Sequence, residues 1–140
     1  EVENKKSGIG VSRSYYVVKG NGESVLVNKG TKLSVGDKIK EKIVITADRD
    51  YDFVQIADKR AACMEPVKQI SGYNGGIYYS PKDNSTYYYI DILNKGKHII
   101  ETEYFIDRNG YYSTGTCSVQ CAYAPEFSCV AGGVKIKVGE

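Results

Sequence analysis

With 140 residues and a formal net charge of +2, the chain has room for a single domain, 1–140, that buries roughly two thirds of its unfolded surface. Lys and Arg are interleaved with Asp and Glu instead of forming a block, which argues against a nucleic-acid or acidic-membrane partner. No run of about 18 apolar residues occurs and Glu1 to Ser7 are mostly polar, so neither direct membrane insertion nor a signal peptide is expected; the chain reads as a mature product or a domain cut from a longer polypeptide.

The aromatic residues are thirteen Tyr and three Phe with no Trp, and many of the Tyr cluster, as Tyr15-Tyr16, Tyr78-Tyr79, Tyr87-Tyr88-Tyr89 and Tyr111-Tyr112. Tyr suits a pleated, half-buried surface, so these clusters predict β-structure. A second use of exposed Tyr is recognition of carbohydrate or protein. In chain order, strands are expected over about 9–18, 24–28, 38–47, 52–58, 76–80, 86–93, 98–106, 111–122 and 129–138. Ile39, Ile43 and Ile45 alternate with Lys40, Lys42 and Val44, as Val134, Ile136 and Val138 do with Lys135 and Lys137. Glu41 interrupts the first series and marks an expected strand edge or bulge. Gly20-Asn21-Gly22, Asn94-Lys95-Gly96 and Asn109-Gly110 carry the residues of hairpin turns. Only the segment from Asp58 to Met64 is rich enough in helix formers for a helical turn, which Glu65-Pro66 would end. The pattern predicts an all-β protein, an immunoglobulin-like antiparallel β-sandwich of about seven to nine strands.

Cys63, Cys117, Cys121 and Cys129 form an even set that suits an oxidising compartment. Their C-x3-C and C-x7-C spacings lack the paired C-x2-C knuckles of zinc sites, and His98, the one histidine, is distant in sequence, so no metal is expected. On one extended strand Cys117 and Cys121 would lie about 13 Å apart, beyond a disulfide's reach. Cys117 and Cys129 are symmetric about Tyr123, as hairpin partners would be, which leaves Cys63 to pair with Cys121; this pairing is preferred. The alternative joins Cys121 to Cys129 and Cys63 to Cys117. Asp48, Asp50 and Asp52 resemble the start of an EF-hand loop, but Phe53 stands where glycine is required and Lys59 where the bidentate Glu belongs, so a solvated turn is the better reading. Asn84-Ser85-Thr86 matches a glycosylation acceptor, a pattern common by chance. No phosphate-binding glycine loop, nucleophile elbow or metal-binding His pair occurs, and no general base accompanies a cysteine nucleophile. Neither enzymatic activity nor a cofactor is expected.

Two longer motifs carry further information: Arg60-Ala61-Ala62-Cys63-Met64-Glu65-Pro66, and Gln120-Cys121-Ala122-Tyr123-Ala124-Pro125-Glu126 following Gly110-Tyr111-Tyr112-Ser113-Thr114-Gly115. With weaker similarity at Leu33 to Asp37, Asp50 to Val54, Leu93 to Gly96 and Tyr104, the chain resembles the C-terminal macroglobulin-like domain of bacterial alpha-2-macroglobulins, particularly the Bacteroidetes type. The resemblance implies a long parent chain of β-sandwich domains that carries a bait region and a thioester domain and traps proteases after bait cleavage. This domain would be its non-catalytic clasp, partnered by other domains of the parent, a thioester-type domain included, and by target proteases only through the whole inhibitor. It also implies a periplasmic, outer-membrane-tethered or secreted location. The family's Cys-Leu-Glu-Gln thioester motif is absent from these residues. By the same resemblance, the loop before Pro125-Glu126 faces the thioester region, where Met then Tyr is usual; here Ala122 precedes Tyr123. Tyr123 as anchor, with Pro125 and Glu126, is the expected docking surface. The rival reading is a free-standing surface-adhesion or carbohydrate-binding module that uses exposed Tyr.

Overall fold

Ile9, Val11, Arg13, Tyr15 and Val17 are buried, while Ser12, Ser14, Tyr16 and Val18 between them are half-buried. This is the period-two burial of a strand with one face on a core. The computed structural model describes residues 3–5, 8–28 and 30–139. In chain order its strands are β1 Glu3–Lys5, β2 Ile9–Val18, β3 Ser24–Leu26, β4 Lys38–Ala47, β5 Tyr51–Lys59, β6 Met64–Pro66 and β7 Gly72–Asn74, followed by β8 Ile77–Pro81, β9 Ser85–Leu93, β10 Gly96–Ile106, β11 Gly110–Ser113, β12 Cys117–Cys121, β13 Ala124–Ala131 and β14 Lys135–Val138. One sheet runs β1-β13-β12-β5-β9-β8-β7 and the other β3-β2-β4-β10-β6, while β11 and β14 form a separate ribbon. The strands pair antiparallel within these sheets, in the expected immunoglobulin-like sandwich. No helix occurs among the described residues. In place of the helical turn expected after Asp58, a tight turn closes with the Met64 amide donating to the Ala61 carbonyl at 3.0 Å.

The two strands expected at 111–122 and 129–138 are each broken in the middle. The halves next to the turn between them, β12 and β13, pair in the seven-stranded sheet, and the halves away from it, β11 and β14, pair in the ribbon. The joint needs glycine on both chains. Gly115 has a φ of 70°, in the left-handed region, and a side chain on Gly133 would stand 2.1 Å from the Gly115 carbonyl oxygen. One core cluster, around Ile43, Ile56, Tyr88 and Val119, fills the space between the large sheets; the other, around Tyr15, Leu33, Tyr104 and Ile136, includes side chains of the ribbon.

Charged residues sit on the inner face between the clusters. Arg13 takes a core position on β2, Glu41 one on β4 and Asp58 one on β5, each 1 % exposed or less. Glu41 is therefore neither a strand edge nor a bulge: its neighbours keep register with β2 and β10 on both sides, and it faces inward because Arg13 and Asp58 do. Arg13 Nη1 donates to Asp58 Oδ1 at 2.7 Å and to the Lys59 carbonyl at 2.8 Å, and lies 4.0 Å from Glu41. Its Nη2 donates to Thr114 Oγ1 at 3.1 Å and to the Gly115 carbonyl, so one guanidinium binds β2 to β5 and to the broken hairpin. Burial opposes its charge, but Tyr15, Asp58 and Glu41 outweigh it and raise its pKa. Burial first, and Asp58 next, push the Glu41 carboxyl well above the usual carboxylate range.

Replacing Arg13 by Met leaves two acidic groups buried without their cation, which is expected to cost about 3–5 kcal/mol in urea unfolding. Adding Asp58→Leu and Glu41→Leu should recover most of it; a single Arg13→Met variant as stable as the unaltered chain would contradict this account. The pH dependence follows from Glu41. Its native pKa lies above its unfolded one, so its contribution is complete below the ordinary Glu range and is lost as pH rises through the native value. Urea midpoints should therefore fall as pH rises from the ordinary Glu range upward, and Glu41→Gln should flatten that slope.

Candidate functional site

At the far end of the β12–β13 hairpin the chain turns at Ala122 and Tyr123. The pairing shifts there from Gln120 opposite Ser128 to Cys121 opposite Ala124, so Pro125, Glu126 and Phe127 are extra residues in a bulge. The expected loop is thus a hairpin tip, with Pro125 and Glu126 exposed on strand β13. Proline is tolerated there because a bulged position needs no ladder donor. The alternation of Cys117, Val119 and Cys121 toward the core does not continue to Tyr123, because the strand ends at Cys121; Tyr123 is 82 % exposed.

The tip is braced from β5. The Ala122 amide donates to the Phe53 carbonyl at 2.8 Å, and the Tyr123 ring meets the Phe53 ring edge-on with centroids 5.3 Å apart. Phe53 is half exposed and holds a φ of 54°, a left-handed conformation that is strained for a large side chain. Phe127 turns back onto Tyr51 at 5.5 Å, and the Arg49 guanidinium lies over Phe127 at 5.4 Å and over Tyr51 at 5.8 Å. Tyr51 donates to Asp48 at 2.6 Å; hydrogen bonds from Arg49 first and Tyr51 second hold the Asp48 carboxyl down at about 2. Asp50 accepts the Lys95 amide at 2.7 Å, so Asp48 and Asp50 tie down turns. The sequence pointed to Tyr123, Pro125 and Glu126 but not to Phe53, Phe127 or Arg49. An aspartate-flanked Phe gives no signal of a left-handed backbone, and the packing of Phe127 on Tyr51 depends on a bulge that only cross-strand register defines.

The four cysteines are buried, and neither expected bridge, Cys63 to Cys121 or Cys117 to Cys129, is formed. Cys63 belongs to the core cluster beside the ribbon and Cys121 to the cluster between the large sheets. Cys117 faces Ala131, and Cys129 faces Val119. Cys117 and Cys129 are therefore diagonal neighbours, about 7–8 Å apart, beyond the usual disulfide span. The symmetry about Tyr123 misleads because the bulge shifts the register by unpaired residues. Burial pushes the Cys63 thiol up to about 11 and raises Cys117 and Cys121 also, which is the opposite of an activated nucleophile. His98 Nε2 lies 2.7 Å from the Asn94 carbonyl on the other large sheet. Among the described residues no group of acidic, His and Cys side chains is placed to hold a metal ion. The tip presents an exposed aromatic contact surface.

A family model described as the bacterial alpha-2-macroglobulin MG10 domain matches residues 8–126. The chain belongs to this family. Solved alpha-2-macroglobulins share the MG10 chain's fold at low identity. A tyrosine mutant of the Salmonella protein superposes with a TM-score of 0.72 at 13% identity, over 98% of this chain and 10% of that one. The trypsin-activated Escherichia coli protein gives 0.76 at 11% identity, over 100% and 11%. The native Escherichia coli fragment from domain MG7 to the C-terminus gives 0.73 at 12% identity, over 96% and 24%. The chain thus spans about a tenth of the length of the first of these structures. No curated protein matches it.

Buried, unbridged thiols have a direct signature. A thiol reagent such as DTNB should leave the native MG10 chain unlabelled over minutes and titrate the four cysteines once it is unfolded in guanidinium. Recovery of a Cys117–Cys129 or Cys63–Cys121 peptide from non-reduced protein would refute the register argument.

Proposed function

We propose that this MG10 domain is a non-catalytic docking clasp of a bacterial alpha-2-macroglobulin-like protease trap, and that it holds neighbouring domains through the aromatic tip at Tyr123. The carrying observation is the exposure of Tyr123, 82 %, on a turn whose backbone is pinned to Phe53. A pre-ordered aromatic at a protrusion loses little freedom on binding and buries much area, as an interface anchor requires. Pro125 lowers the entropy of the bulge beneath it, and Glu126 contributes polar contact at the rim. The trap activity belongs to the longer parent, with target proteases engaged through the whole assembly. A periplasmic, outer-membrane-tethered or secreted setting goes with that role. The tip lacks the usual Met before Tyr: Ala122 supplies little area, so Phe53 takes the place of the missing neighbour as the second aromatic of the contact.

Tyr123→Ala separates docking from self-packing. Because, among the described residues, Tyr123 meets only Phe53 in ring contact, the substitution should move the melting temperature of this chain by no more than about 2 °C, while the parent trap carrying it loses domain association or protease retention. A parent that traps as before, or a drop of several degrees in the isolated chain, would remove the anchor.

A further inference from the structure

The outer face of the seven-stranded sheet carries a row of side chains that the docking role does not use. Tyr73 stands opposite Tyr78, Tyr78 opposite Tyr89, Tyr89 opposite Gln55, Gln55 opposite Gln120 and Gln120 opposite Ser128. Directly opposed residues share a face, so these six cross the sheet in one line, which at the strand spacing is about 24 Å long. The rings follow one another at 5.0 Å from Tyr73 to Tyr78 and 6.3 Å from Tyr78 to Tyr89, and Tyr87 stacks on Tyr89 at 6.4 Å with planes only 16° apart. Tyr73 is 69 % exposed and Tyr89 40 %. Tyr87 also borders a groove of about 520 Å³ whose walls include Arg60, Glu65, Gln69 and Asn84.

The other large sheet shows what an ordinary solvated face looks like in this protein. Lys40 and Lys42 of β4 stand opposite Glu103 and Glu101 of β10, and Lys38 reaches Glu103 at 3.4 Å. The tyrosine row, by contrast, contains no charge and no aliphatic side chain. It offers exposed aromatic rings at one end, primary amides in the middle and, beside it, a groove in which Arg60 and Lys82 are matched by Glu65 and Asp83, so that its walls carry no net formal charge. Charge complementarity selects an uncharged ligand, since a nucleic acid or an anionic lipid would call for cations along the row. The length selects a polymer. A pyranose presents polarised C–H groups on its faces, which pack on the negative face of an aromatic ring, and hydroxyls on its edges, which pair with amides and phenols. We infer that this face binds an uncharged polysaccharide, its sugar rings stacked on Tyr73, Tyr78, Tyr89 and Tyr87 and its hydroxyls bonded by Gln55 and Gln120.

The test uses this chain in affinity electrophoresis through gels containing hydroxyethylcellulose, xyloglucan or a soluble β-1,3-glucan, with titration of cellohexaose and chitohexaose followed by calorimetry. At least one neutral glycan should retard the chain. Tyr73→Ala and Tyr89→Ala, both at exposed positions that folding tolerates, should each weaken binding about tenfold. Tyr111→Ala, on a ring that is 79 % exposed in the separate ribbon, should leave binding unchanged. No interaction with any of these glycans at millimolar sugar overturns the proposal, as does equal loss in the Tyr111 variant or preference for heparin. Protection of Tyr73 and Tyr89 from nitration in a longer piece of the parent overturns it as well, because the face would then be covered by a neighbouring domain.

Discussion

The structure turns on a guanidinium placed where a hydrophobic residue belongs. Arg13 interrupts the apolar series of β2 between Val11 and Tyr15, and Asp58 and Glu41 answer it from β5 and β4. A buried charge of this kind is worth little as net stability, because desolvation offsets much of the attraction. Its consequence is positional. With its donors committed to Asp58, Lys59, Thr114 and Gly115, Arg13 has no equivalent arrangement in a slipped register. Any shift of the sheets would strand a charge in the core.

That constraint reaches the tip. The hairpin that carries Tyr123 is the same one that breaks at Gly115 and Gly133, and its break is held by Arg13. From Gly115 the short strand β12 runs rigidly, paired on both sides by β5 and β13, to the turn at Ala122 and Tyr123. An exposed aromatic side chain gains from such a mount as a contact residue, since ordering it on contact then loses little entropy. The left-handed Phe53 fits the same scheme: its carbonyl fixes the turn and its ring supports Tyr123.

The two exposed surfaces of the domain have different chemistry. The tip is small, aromatic and local to one hairpin, suited to a specific protein contact. The outer tyrosine row is long, uncharged and lined with amides, and the Lys and Glu of the opposite sheet set it apart from an ordinary solvated face. The tip lies at the turn of the β12–β13 hairpin and the tyrosines on β7, β8 and β9 of the same sheet, so both can be occupied in the same molecule.

The alternation of apolar residues along 38–47 and 129–138, with the tyrosine clusters and the glycine turns between strands, was enough to suggest the antiparallel sandwich, because burial of one strand face imposes a period of two on the sequence itself. The motifs around Met64 and Tyr123 were enough to suggest the macroglobulin resemblance, and that resemblance singled out Tyr123, Pro125 and Glu126 as the expected contact. Glu41 could not be placed, since a single acidic residue in an apolar series looks like a break until its partners are known, and Arg13 and Asp58 lie on other strands. The disulfide pairing failed for a related reason: cross-strand distance depends on register, and a bulge at Cys121 changes it without a sequence mark. The tyrosine row is likewise a product of pairing, assembled from residues of β7, β8, β9, β5, β12 and β13 that no local pattern joins. Local periodicity determined which residues form strands and which face the core; only the tertiary structure decided which strands lie side by side, because that choice is set by long-range register and by the buried charges that forbid the alternatives.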